Sequence, residues 1–304
     1  MKQLTLALDW TPNINHYGFL VAKQLNFYAE VGLEVRITHP GNDHYALTPA
    51  KKVENGVADF ALCPLESVIS YRTKTQPCKL QAAATIFQKD LSAIAVAAES
   101  TIMRPADLDG KGYASYQARY EDGIVKQMIK NDGGQGDLKI TYPQKLGIWN
   151  TILRGETHST WIFENWEGVE AQQKNVELRL FKMHDYGIPY SYSPVLACEQ
   201  ERAQKKEASY RAFLQATKKG FRHALDHPQE ALDILRAQLP QADKDLDLQE
   251  ALERSLPALG DADSWGKMEL TNLESFLNWL RLHKLEHSRI QPHELLAQNL
   301  QKHL

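Results

Sequence analysis

The chain has 304 residues, 43% of them hydrophobic, and 35 Lys and Arg against 38 Asp and Glu give a formal net charge of −3. With a mean hydropathy of −0.46, that composition excludes collagen-like, disordered and membrane-spanning classes. The near-balanced charge builds no broad basic field, which argues against a nucleic-acid binder.

A chain of this length makes two domains of ordinary size or one large one. Cys63, Cys78 and Cys198 lie far apart, so they form neither a disulfide framework nor a CxxC zinc pair. The opening MKQLTLALDW has an apolar run too short for a secretory signal, ending in Asp9. Two locations follow: cytoplasmic if the chain is complete as given, periplasmic or lipid-anchored if a signal was removed.

In chain order, residues 3–8 alternate apolar and polar and predict a strand, which Thr11-Pro12-Asn13 breaks. Apolar residues at helical spacing predict a helix from His16 to Glu30, and LEVRITHP a second strand. A helix is expected over Tyr45–Asn55, then the short strand ADFALC and a helix from Pro64 to about Tyr71. KLQAAATIF and SAIAVAAE read as further strands.

From Asp107 the alternation restarts. GYASY is a strand, Ala118–Asn131 a helix, LKITYP a strand, Ile148–Arg154 a helix and HSTWIFENW a strand running into a turn. A short helix over Val169–Lys174 and the strand VELRLFKM complete this half. Beyond residue 200 the chain reads as helical, with helices at Ser209–Asp226, Gln229–Leu239, Leu248–Ser255 and Leu270–Leu282. Strand-helix alternation run twice predicts an α/β chain with two parallel-leaning sheets. The halves meet near residues 90–92 and 191–195, giving lobe I as 1–90 plus 195–304 and lobe II as 91–194.

Ligands of such folds sit beyond the carboxyl ends of strands, in a cleft between lobes. The strand ends here are rich in aromatic and polar side chains. The candidate ligand-binding residues are Trp10, Asn13, His16, Tyr17, Glu66, Ser115, Tyr116, Trp166, Glu167 and Tyr190. Indole and phenol faces stack on a flat ring, while carboxylates and amides read its edges, a set that suits an amino-bearing heterocycle. Each has a plainer reading: Trp10 capping the core, Asn13 capping a helix, His16 as an interior histidine, Glu66 complementing a helix dipole. Glu167, between Trp166 and Gly168, is the least well explained by packing. No GxGxxG, GxxxxGK[ST], GxSxG or HExxH motif occurs and no acid/base pair stands out, so the residues argue for binding rather than turnover and imply no cofactor or metal.

LDWTPNINHYGFLVAK, FYAEVGLEVRI, VENGVADFALCPLESVI, DLDGKGYASY and ENWEGVEAQQKN resemble, in order and spacing over residues 4 to about 200, the periplasmic-binding-protein-like family of thiamine pyrimidine metabolism. That family includes solute-binding proteins for thiamine pyrimidine precursors and the fungal pyrimidine synthase. The resemblance implies a type II two-lobed fold, with the helical C-terminal tail matching more loosely. It also implies binding of a small aminopyrimidine thiamine precursor, delivered to an ABC permease or to salvage. The alternatives on this scaffold are a cytosolic synthase-like enzyme and a cytosolic ligand sensor. Against the enzyme, Cys63 stands where the synthase has its pyridoxal phosphate lysine and Ser67 where it has its histidine. Only Cys198 remains where it has a cysteine cluster.

Overall fold

The computed structural model describes residues 1–261 and 263–304. The chain forms two compact units, residues 1–90, 192–270 and 289–304, and residues 91–191 and 271–288.

The first unit begins with β1 (Lys2–Ala7), α1 (Tyr17–Gln24), α2 (Phe27–Glu30), β2 (Leu33–Thr38), α3 (Pro49–Glu54), β3 (Phe60–Cys63), α4 (Leu65–Thr73) and β4 (Leu80–Thr85). The second unit carries β5 (Ser92–Ala97), β6 (Lys111–Ala114), α5 (Glu121–Asn131), β7 (Leu138–Thr141), α6 (Asn150–Leu153), β8 (Ser159–Phe163), α7 (Glu167–Gln173) and β9 (Leu178–Lys182). The chain then returns to the first unit with β10 (Val195–Glu199), α8 (Gln200–Lys205), α9 (Glu207–Asp226), α10 (Pro228–Gln238) and α11 (Leu248–Leu259). Helix α12 (Leu270–Leu282) belongs from Thr271 onward to the second unit, and α13 (Gln298–Gln301) to the first.

Each unit has a five-stranded sheet of one plan, β2-β1-β3-β10-β4 and β7-β6-β8-β5-β9. In the first, β1 runs parallel to β2 and β3, and β10 lies antiparallel between β3 and β4. In the second, β6 runs parallel to β7 and β8, and β5 lies antiparallel between β8 and β9. The antiparallel member is the first strand laid down after the chain passes from one unit to the other at 90/91 and 191/192. Both sheets are therefore mixed. VLACE, unassigned in the sequence reading, is an interior strand whose apolar run has no alternation because both of its faces are buried.

The first unit's core lies where α1 crosses α9. The Tyr17 and Phe19 rings stand edge-on to Phe221, with centroids 5.4 and 5.2 Å away. Tyr28 stacks on Phe213 at 5.3 Å, Phe213 on Phe60 at 4.5 Å, and the Tyr28 hydroxyl lies 2.9 Å from Thr217 Oγ1. Each such ring removed from water contributes about 1.5–3 kcal/mol. The predicted helix from His16 to Glu30 is divided, because Asn26 adopts a left-handed conformation (φ 62°) that a helix cannot continue through. The helix predicted from Tyr45 starts only at Pro49, capped by the Thr48 hydroxyl, because His44 and Tyr45 are themselves left-handed.

In the second unit Trp149, Ile152, Ile162 and Ala171 pack around Ala95. Residues 271–288 join this unit, whereas the sequence reading kept all of 195–304 with lobe I. The apolar face of α12 supplies Leu273, Phe276, Leu277 and Leu280. Phe276 meets Tyr190 edge-on at 5.3 Å, and the Glu286 carboxylate accepts the Tyr120 hydroxyl. An amphipathic stripe states that a helix packs, not against which sheet it does so.

Candidate functional site

The first unit's polar residues gather where β1, β2 and β3 end. After Ala7 the chain cannot extend its ladder through Pro12, which has no N–H to donate. It turns into a short 3-10 helix, Ile14–His16, capped by Asn13. Asn13 Oδ1 accepts the Asn15 N–H at 2.9 Å, and His16 Nδ1 accepts the Asn13 N–H at 3.2 Å. His16 Nδ1 is thus an acceptor, which places the ring proton on Nε2. Nε2 donates to Asp9 Oδ1 at 2.8 Å, with His16 wholly buried and the Asp9 side chain 21% exposed.

Trp10, half-buried, lies 6.3 Å from the Tyr45 ring at a tilt of 59°. The Tyr45 hydroxyl donates to the Asp9 carbonyl at 3.3 Å. His44 and Tyr45 have φ of 51° and 59°, a conformation that costs non-glycine residues energy and recurs at ligand sites. At the end of β2, His39 Nδ1 accepts the Gly41 N–H, and burial, His16 and Lys52 hold its imidazole below the usual value. The buried Lys52 ammonium pairs with Asp43 Oδ2 at 2.7 Å.

At the end of β3, Cys63 and Glu66 are both buried. Burial first, then Asp9 and Glu66, push the Cys63 thiol well above its usual range. A thiol held in its neutral form is a poor nucleophile. Tyr17 is a core ring: it packs against Phe221, and among the described residues its hydroxyl has no hydrogen-bond partner.

In the second unit the loop after β6 is pinned by the buried Glu121. Glu121 Oε1 accepts the Tyr113 hydroxyl at 2.7 Å and the Tyr116 N–H at 2.9 Å, and Oε2 accepts the Ala118 N–H at 3.1 Å. Burial nevertheless raises its carboxyl. Ser115 Oγ accepts the N–H of Gln117, a left-handed residue (φ 64°), and the Tyr116 ring stays half-buried. Lys145, in the loop after β7, is lowered by burial and held up by Glu121.

At the end of β8, Trp166 is buried and Glu167 Oε2 accepts the Phe163 N–H at 2.9 Å. Packing had left Glu167 unexplained in the sequence. The structure supplies the reason, a carboxylate that closes the strand-to-helix turn at the start of α7. Tyr190 meets Trp161 at 5.1 Å and Phe276 at 5.3 Å, which makes it part of an aromatic packing cluster.

Within the first unit the structure joins Asn13 and His16 to Asp9, and Trp10 to Tyr45. Within the second, Ser115 and Tyr116 share the Glu121-held loop, Trp166 and Glu167 share the end of β8, and Tyr190 stands apart. Sequence reasoning passed over Asp9, Tyr45, Lys52, Glu121 and Lys145. Asp9 and Glu121 stand in strand-end segments it had already marked. The polar run THPGNDHY after β2 is the signal that could have led to His39, Asp43 and Tyr45. Among the described residues no group of three or more His, Cys, Asp or Glu side chains is placed to hold a metal ion. No described helix is long and apolar enough to cross a membrane.

A mixed-sheet α/β chain in two units with residues collected at strand ends has the fold of periplasmic solute-binding proteins. The alkanesulfonate-binding protein SsuA from Xanthomonas axonopodis pv. citri superposes with a TM-score of 0.72 at 12% identity, over 97% of this chain and 98% of its own. The family model described as NMT1/THI5 like matches residues 13–231, and the chain belongs to that family. Among its relatives, the formylaminopyrimidine-binding protein of Halalkalibacterium halodurans is 25% identical over 289 residues, 93% of this chain and 86% of its own. The 4-amino-5-hydroxymethyl-2-methylpyrimidine phosphate synthase of Legionella pneumophila is 24% identical over 259 residues, 84% of this chain and 79% of its own.

Proposed function

We propose that this protein is a solute-binding protein for a small aminopyrimidine precursor of thiamine, which it hands to an ABC importer. The observation that carries the reading is the strand-end group of the first unit, where the Trp10 and Tyr45 rings stand 6.3 Å apart, the Tyr45 hydroxyl donates to the Asp9 carbonyl, and the Asp9 carboxylate is part-exposed. Flat rings hold a heterocycle by its faces, and the carboxylate accepts from its amino group. Similarity to the formylaminopyrimidine-binding protein supports this ligand class. Glu66 of the first unit, and Ser115, Tyr116, Trp166 and Glu167 of the second, are proposed as further ligand-binding residues, each assignable by substitution.

An extracytoplasmic location and a permease partner belong to the same proposal. They are tested by fractionating cells and by co-purification with membrane components. The relative that is a synthase raises an enzymatic reading. The residues do not fit it. Cys63 stands where the resemblance expects a pyridoxal phosphate lysine, and a buried neutral thiol supplies no amine.

Native mass spectrometry of protein taken directly from cells tests the reading. A bound mass matching an aminopyrimidine is the expected result. A co-purified ligand of another class, with aminopyrimidines failing to displace it, contradicts it.

A further inference from the structure

We infer that Asp9 is the residue that reads the ligand's amino group, and that His16 fixes which way the Asp9 carboxylate presents its acceptor. This inference rests on the aminopyrimidine reading above. The two Asp9 oxygens have different surroundings. Oδ1 takes the His16 Nε2–H at 2.8 Å, while Oδ2 has no hydrogen-bond partner among the described residues. The side chain is 21% exposed, so one oxygen is held from inside and the group still reaches solvent.

The hold comes from the protein interior. His16 is wholly buried, and its Nδ1 is committed as an acceptor to the Asn13 N–H at 3.2 Å. The imidazole therefore offers Asp9 a donor and only a donor. Buried behind Asp9 with both nitrogens engaged, His16 acts on a ligand through Asp9 and is a positioning residue. Trp10 follows Asp9 directly, and the Tyr45 hydroxyl donates to the Asp9 carbonyl. Tyr45 is thereby tied to the Asp9 main chain, and its ring lies 6.3 Å from that of Trp10.

This arrangement makes Asp9→Asn informative. The His16 Nε2–H requires an oxygen, so the new amide turns its Oδ1 inward and its NH2 outward. An acceptor becomes a donor at the same place, and a ligand amino group then faces another donor.

The test is calorimetric titration of the full-length protein with 4-amino-5-hydroxymethyl-2-methylpyrimidine and with its 4-oxo analogue. Thermal melts confirm that each variant is folded. Wild type is expected to favour the amino ligand by about tenfold or more, and Asp9→Asn to abolish or reverse that preference. His16→Gln, which keeps a donor toward Asp9, should retain more of the preference than His16→Leu. This separates orientation from general loss of stability, which would weaken both ligands alike. If the His16 variants fail to fold, the Asp9→Asn ratio alone decides. An unchanged preference in folded Asp9→Asn overturns the assignment while leaving the functional reading intact. Failure of wild type to bind either pyrimidine overturns that reading and this inference with it.

Discussion

Gly220 of α9 lies against Gly18 of α1, so closely that a Cβ built on Gly220 would stand 2.2 Å from the Gly18 carbonyl oxygen and 2.7 Å from the Ala22 Cβ. A Cβ on Gly18 would stand 2.3 Å from the Phe221 ring. Alanine improves the intrinsic propensity of a helix interior by about 1 kcal/mol. Forcing a methyl into packed backbone costs about 3 kcal/mol. Gly220→Ala should therefore lose about 2 kcal/mol net, read as a lower denaturation midpoint with an unchanged slope. A stabilised variant would show that the two helices are free to separate.

Glu121 gives a pH-dependent prediction. Its carboxyl is raised by burial, against hydrogen bonds from Tyr113, Tyr116 and Ala118 that favour the anion. A carboxyl raised on folding binds its proton more tightly in the native state. Its contribution to stability is therefore complete below its ordinary value of 4.5 and is lost as pH rises through the raised native value. Unfolding free energy measured across that window should decline less steeply in Glu121→Gln than in wild type. The variant should also lose about 1–3 kcal/mol at neutral pH, because an amide has one acceptor oxygen for three donors. Identical slopes would contradict the assignment.

Glu167 should separate stability from affinity. Glutamine can still accept the Phe163 N–H, so Glu167→Gln should melt close to wild type, whereas Glu167→Ala should lose about 1–2 kcal/mol. On the proposed role, Glu167→Gln weakens aminopyrimidine binding by about 1.5–3 kcal/mol. Unchanged affinity would leave Glu167 as a turn-closing residue alone.

Thiol reactivity is the next prediction. Cys63 and Cys198 are buried, and burial pushes both thiols up, Cys198 to about 12; Cys78 is half-buried and also raised. Alkylation of the folded protein near neutral pH should be slow and should mark Cys78 first, as read by peptide mass spectrometry. Fast labelling of Cys63 would reinstate a nucleophile beside Asp9.

Nine of the ten strands among the described residues were readable because short apolar runs, alternation and turn residues are local signals. The tenth, β10, is a short apolar run covered on both faces, as β3 and β5 are, but it directly abuts the helical stretch that starts at Gln200. The break at Asn26 and the left-handed pair His44-Tyr45 depend on backbone conformations that Asn tolerates and a tyrosine adopts only under tertiary constraint. Strand ends pointed to Trp10, Asn13 and His16. What the sequence could not show is that His16 turns inward to hold Asp9, or that Glu167 bonds to the backbone four residues before it. Both depend on which way a side chain points once the turn has formed.

The most direct test of the account is calorimetric titration of the purified full chain with hydroxymethyl- and formylaminomethyl-aminopyrimidines, repeated with Trp10→Ala. Saturable binding of one ligand per chain is expected, weakened by about 1–2 kcal/mol when the indole is removed. Absence of heat with every aminopyrimidine at millimolar concentration, from protein shown to be folded and free of a co-purified ligand, would contradict it.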